Sequence, residues 1–187
     1  MTSLRLTPIL GAVACTVATL VLVLLAAQSA HAQVSAAART AGTAQGPWAG
    51  RAAFNAQGEQ VQAAGQRRVN GDGQGNVHGA AGSGFNTAAG GQGLRTRSFE
   101  RNADGSVDAR NQASMSTASG GSAERSGSFT RSADGSSASG ARSTTVNNAR
   151  TGVTFDGQTT YTKGSGFSRS ASCTDAAGNT VTCGANR

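Results

Sequence analysis

Two nine-residue segments, Ser98-Phe-Glu-Arg-Asn-Ala-Asp-Gly-Ser106 and Ser128-Phe-Thr-Arg-Ser-Ala-Asp-Gly-Ser136, stand thirty residues apart. Weaker copies fall between and before them: Phe85 precedes Gly90-Gly91 and Met115 precedes Gly120-Gly121 at the same offset. Each unit is one large apolar residue followed, five and six positions on, by Asp-Gly or Gly-Gly. Repetition at a fixed period marks stacked supersecondary units. Asp-Gly and Gly-Gly supply the positive φ that two-residue hairpin turns demand. Asp72-Gly73 extends the series forward and Val146 before Thr151-Gly152 extends it back. Reversals at 72, 90, 104, 120 and 134 leave a dozen or more residues between turns. The expected fold is therefore all-β, an antiparallel meander of long Gly/Ser/Thr/Ala-rich strands over residues 67–149. The turns are expected at Asp104-Gly105, Gly120-Gly121 and Asp134-Gly135.

Composition decides what such a meander can be. After residue 32 the chain holds eight valines, six phenylalanines, one leucine and no isoleucine. That share lies well below the aliphatic and aromatic content of ordinary globular domains, at a level typical of disorder. Burying every one of those side chains would not offset the entropy of ordering the backbone. A compact enzyme core is excluded. Two objects remain: a thin repetitive sheet held by backbone pairing, or a largely disordered low-complexity chain.

The first 32 residues read as an export signal. One basic side chain, Arg5, precedes an uncharged apolar run that includes Ile9, Val13, Leu20 and Leu25. The run gives way to Ala30-His31-Ala32, a small-x-small site for cleavage between Ala32 and Gln33. The rival is an uncleaved anchor, since about 20 apolar residues span a bilayer. With the signal removed, no membrane span is expected, and the destination is the periplasm, the outer surface or the medium. Cys15 leaves with the signal. Cys173 and Cys183 remain, and an even count in an exported chain points to a disulfide. A three-residue loop at Ala177-Gly178-Asn179, with Asn179 left-handed, would set the two cysteines directly opposite each other. Residues 33–66 are Ala/Gln/Gly-rich and read as a flexible linker, with Ala52–Gln66 as a frayed helix. Residues 150–187 read as terminal hairpins, one of them pairing Phe155 with Gln158 around Asp156-Gly157, that staple the end of the sheet.

Pairing arithmetic sharpens the central region. A two-residue loop at Asp104-Gly105 pairs Arg101 with Asp108 and Phe99 with Arg110. The loop at Gly120-Gly121 pairs Arg110 with Arg131, and that at Asp134-Gly135 pairs Phe129 with Gly140. Because side chains alternate faces, Arg95, Arg97, Phe99, Arg101, Arg110, Arg125, Phe129, Arg131 and Arg142 share one face. Cation–π contacts offset part of the repulsion in such an array. The opposite face is small and flat, apart from Leu94, Glu100, Val107, Met115 and Glu124. Lys163, Phe167 and Arg169 repeat the spacing of Arg125, Phe129 and Arg131.

No catalytic constellation stands out. His78 is the one histidine after residue 32, and neither the dinucleotide nor the phosphate-loop glycine motif occurs. Asn70-Gly-Asp-Gly-Gln-Gly75 has calcium-loop spacing, but Ala81 stands where the bidentate Glu is needed. No cofactor, metal or small-molecule substrate is expected. Beyond residue 32 there are 15 basic and 9 acidic residues, a net charge of 15 − 9 = +6. Two functions follow. One is a structural β-repeat protein of a bacterial envelope or matrix, self-associating through its small-residue face. The other is a binding module that takes polysaccharide, glycolipid phosphate or extracellular DNA on its Arg/Phe face.

Overall fold

The computed structural model describes residues 33–42 and 46–183. The export signal and Ala32 lie outside the described residues, which start at Gln33. Eleven strands form one sheet in chain order: β1 (Gln33–Gly42), β2 (Trp48–Gln57), β3 (Val61–Gly71), β4 (Val77–Thr87), β5 (Gln92–Arg101), β6 (Val107–Ser116), β7 (Ser122–Arg131), β8 (Ala138–Asn148), β9 (Val153–Thr162), β10 (Gly166–Thr174) and β11 (Thr180–Val181). Every strand runs antiparallel to the next. Contacts between strands link sequence neighbours alone among the described residues. The expected meander is the fold, and it is an open one.

The meander reaches further than expected. Residues 33–66, read from sequence as a linker or frayed helix, form β1, β2 and the first half of β3. Alternation explains it: on β2, Trp48, Gly50, Ala52, Phe54 and Ala56 share one side, and Ala49, Arg51, Ala53, Asn55 and Gln57 the other. The sheet also crosses residues 149 and 150 without a break. Asp156-Gly157 is not a turn; it lies inside β9, where Phe155 faces Cys173 and Gln158 faces Ser170. Gly157 is needed there for space, because a Cβ would come within 2.8 Å of the Phe155 ring.

The turns expected to have two residues are longer, and this resets the register. Asn102 N–H donates to the Ser106 carbonyl and Gly105 N–H to the Asn102 carbonyl, leaving the three-residue loop Ala103-Asp104-Gly105. Gly105, at φ +91, occupies the left-handed position that closes such a loop with a bulge. The same geometry recurs at 87–91, 117–121 and 175–179. At 117–121 it is Gly120, φ +85, that takes the left-handed position, while Gly121 only pairs with Thr117. The observed partners are therefore Phe99 with Ala109, Arg101 with Val107, and Val107 with Arg131. At 132–137 a four-residue loop, Ala133 to Ser136, leaves the expected pair Phe129 with Gly140 intact. In the last hairpin Gly178, not Asn179, is left-handed, so Cys173 faces Val181. Cys183, two residues on, still reaches it, with a Cα separation of 5.3 Å in the disulfide.

No ordinary core forms. Cys173, 4% exposed, is the one buried hydrophobic residue described. What replaces a core is a lattice of large side chains set over small ones. Phe54 faces Gly65, Trp48 faces Gly71, Phe99 faces Gly79, and Phe85 faces Gly93. A Cβ added at any of these four glycines would overlap the ring. Such cross-strand pairs are the unit of sheet stability, each contributing roughly 0.2–1 kcal/mol. Turns on one edge also lean on each other: Asn76 Oδ1 accepts from Ala103 N–H at 2.7 Å, and Arg131 Nη2 donates to the Gly105 carbonyl at 3.1 Å. Lys163 Nζ donates to the Gly135 carbonyl. Among the described residues the outer side of β1 has no partner strand, whereas β10 is covered in part by β11 and the disulfide.

Candidate functional site

Pairing at these registers sorts the strand residues onto two faces. One carries Trp48, Phe54, Phe85, Phe99, Phe129, Phe155, Tyr161 and Phe167, which are all the aromatic residues after residue 32. It also carries Arg67, Arg95, Arg97, Arg101, Arg125, Arg131, Arg142 and Arg169. The acidic strand residues Glu100, Asp108, Glu124 and Asp156 all lie on the other face. Of the nine residues expected to share a face, eight do. Arg110 does not: it pairs with Ser98 and Ser128 on the polar side. The three-residue loop at 103–105 shifts β6 by one residue, and a one-residue slip turns every side chain of a strand over. The same shift brings Val107 and Met115 onto the aromatic face, where sequence alone set them opposite.

The thirty-residue period explains the layout. On the aromatic face β5 reads Gly93, Arg95, Arg97, Phe99, Arg101, and β7 reads Ala123, Arg125, Gly127, Phe129, Arg131. The intervening β6 and β8 present small or neutral residues at the facing positions: Ala109 and Gly140 beside the rings, Ala113 and Thr144 beside Arg125. Rows perpendicular to the strands therefore alternate large with small. One reads Phe99, Ala109, Phe129, Gly140, Tyr161, Phe167, ending in a tilted ring pair with centroids 4.9 Å apart. The next reads Arg67, Ala81, Arg97, Asn111, Gly127, Arg142, Thr159, Arg169. No two arginines on this face are direct cross-strand partners. The direct Arg110–Arg131 pair that sequence predicted is avoided, which removes its like-charge cost.

Between the ring row and the parallel row of Val146, Phe155 and Cys173 lies a shallow depression of about 820 Å³. Gly127, Gly140 and Gly157 floor it; Phe129, Tyr161, Arg142 and Arg169 wall it. The rings stay partly open to solvent, Phe129 at 38% and Phe167 at 71% exposed. The arrangement offers apolar platforms beside guanidinium groups, which can donate paired hydrogen bonds to carboxylate, sulfate or phosphate. Arg67 and Arg169 complete the arginine row. Arg67 lies thirty residues before Arg97, so carrying the period back into β3 would have found it.

The polar face is chemically different. Cross-strand hydroxyl and amide pairs line it: Ser126 with Ser143 at 2.7 Å, Thr130 with Ser139 at 2.9 Å, and Asn147 Nδ2 donating to Thr154 Oγ1 at 3.2 Å. Thr145 donates to Asp156 at 2.7 Å. His78, exposed on β4, has Nδ1 3.6 Å from Glu100 Oε1. The four hydrogen-bonded turn aspartates serve local structure. Ser132 hydroxyl and Ser136 N–H donate to Asp134 and hold its carboxyl down at about 2. Asp104 is lowered by Ser106, and Asp72 and Asp175 by Asn76 and Asn179. Asp72 thus closes the 72–76 turn. The chain matches no family model, no curated protein and no solved structure.

Proposed function

We propose that this chain is a non-catalytic structural sheet of a bacterial envelope or matrix that lays its arginine and aromatic face on an anionic polymer. One observation supports the reading above others. Eight arginines and all the Phe, Tyr and Trp rings share a face that no acidic strand residue enters. A sheet open on both sides gains stability from whatever covers its apolar rows. A polyanion covers them and neutralises the guanidinium groups together, with an affinity that falls as salt rises.

Heparin serves as a soluble polyanionic probe. The variant Arg97→Gln with Arg142→Gln is expected to weaken binding at least tenfold at low salt, while Arg110→Gln, on the far face, leaves it within twofold. Equal losses from both variants would remove the face from the account.

A second reading is favoured by where the acids lie. Glu100 and Asp108 form one row on the polar face, and Glu124 and Asp156 fall in another. Copies stacked face to back would bring these rows toward Arg101, Arg131, Arg95 and Arg125 of the next sheet. Such a contact does not close on itself and builds open stacks. Sedimentation without polymer separates the two readings: mass that grows with concentration supports stacking, and a constant monomer excludes it.

A further inference from the structure

The aromatic face keeps its arginines apart; the polar face, at one place, does not. Arg39 on β1 faces Arg51 on β2, and Arg51 faces Arg68 on β3. Three guanidinium-bearing residues thus occupy one row on adjacent strands, which lie about 4.8 Å apart. All three are exposed. The flanking positions on the same face are Ala41, Ala49 and Asn70 on one side, and Ala37, Ala53 and Gln66 on the other. Ala80 follows Arg68 in the row. Not one of these neighbours carries a negative charge.

Among the described residues no carboxylate forms an ion pair with any of the three. Asp72, in the turn after β3, spends its oxygens on Gln74 N–H, Asn76 N–H and Asn76 Nδ2. Glu59 sits in the turn at the far end of β2 and β3, beyond the Gln57–Gln62 pair. The contrast within the face is direct. Arg110, in the same row, has Ser98 and Ser128 as partners and Asp108 two residues away on its own strand. Like charges directly opposite destabilise a sheet, so a row of three is stabilised by an anion bound across it.

We infer that Arg39, Arg51 and Arg68 form a site for a phosphate-class dianion, separate from the aromatic face. Planar guanidinium groups meet phosphate oxygens in bidentate fashion. A dianion over Arg51 lies between two further arginines, and the surrounding alanines leave it room to approach. The ligand is a phosphate group, whether free or at the head of a lipid. The site does not depend on what the opposite face binds.

Calorimetry with methyl phosphate, and flotation with vesicles with and without phosphatidic acid, test the site on the full mature chain. Binding to methyl phosphate at low salt is expected. Arg51→Gln is expected to weaken it at least tenfold, Arg39→Gln or Arg68→Gln by about fivefold, and Arg110→Gln not at all. Capture by phosphatidic acid vesicles assigns the lipid source; binding of methyl phosphate alone assigns the free one. Ala53→Glu, which places a carboxylate two residues from Arg51 on the same face, is expected to abolish binding without removing an arginine. Undiminished binding in both Arg51→Gln and Ala53→Glu would overturn the site. So would loss on the Arg97→Gln, Arg142→Gln pair alone, which would move the phosphate to the aromatic face.

Discussion

The hairpins β5–β6 and β7–β8 turn on nearly the same words, Asn102-Ala-Asp-Gly-Ser106 and Ser132-Ala-Asp-Gly-Ser136, but the second has one more residue, Ser137, before its strand begins. Were the turn to dictate register, the second hairpin would close in three residues as the first does. Arg131 would then face Ser137, and Arg142 and Val146 would be sent to the polar side. Instead the loop grows to four residues, and Arg131 faces Ala138 as Arg101 faces Val107. Face pattern governs and the turn yields. Strand registers are strongly specified wherever the two faces differ in chemistry, and here they differ by rings and charge rather than by burial.

That comparison can be broken. One serine inserted between Gly140 and Ala141 reverses alternation for the rest of β8, where no loop can absorb it. Hydrogen exchange should show protection of β8, β9 and β10 falling toward that of unpaired chain, with β3 to β7 retained. Next in size are the left-handed glycines. Valine at Gly105 or Gly135 meets a cost of about 1–2 kcal/mol for left-handed backbone. Gly105→Val should cost more, because its φ of +91 lies further from the left-handed minimum than the +67 of Gly135. Denaturant midpoints would show whether that order holds.

Acid separates the two turns more gently. Asp134 is held at about 2 against an ordinary 3.8, so its contribution is complete above the ordinary value and is lost as pH falls toward 2. Asp104 is lowered too, through Ser106 alone. Asp134→Asn should therefore flatten the acid limb of a stability–pH curve more than Asp104→Asn does. Deleting Ser137 should do least. The loop closes in three residues, Arg131 keeps Ala138, and stability stays within about 0.5 kcal/mol, as for other surface changes.

Much of this sheet was legible because its punctuation is glycine. Gly73, Gly90, Gly105, Gly120 and Gly135 all carry positive φ, at or beside the reversals expected from the repeat. Phe99 and Phe129 share a face, as do six of the seven arginines assigned to it, Arg110 being the exception. Loop length was not legible. Asp-Gly serves a two-residue and a three-residue loop equally well, and the difference of one residue moved Arg110, Val107 and Met115. Asp156-Gly157 failed for another reason: its glycine makes room for the Phe155 ring inside a strand. Strands β1 and β2 were hidden because alanine fits helix, linker and sheet alike. Their signal was the pairing of Trp48 and Phe54 with Gly71 and Gly65, which appears only once the strands are side by side.

Among the described residues, each strand touches just the one before it and the one after it. A molecule wired this way has no privileged size: hairpins can be gained or lost in whole units, and stability accrues link by link. Pulled from its two ends, it should come apart like a zip, one row of hydrogen bonds at a time. The cystine clasp at the last hairpin leaves β1 as the place where the first tooth opens.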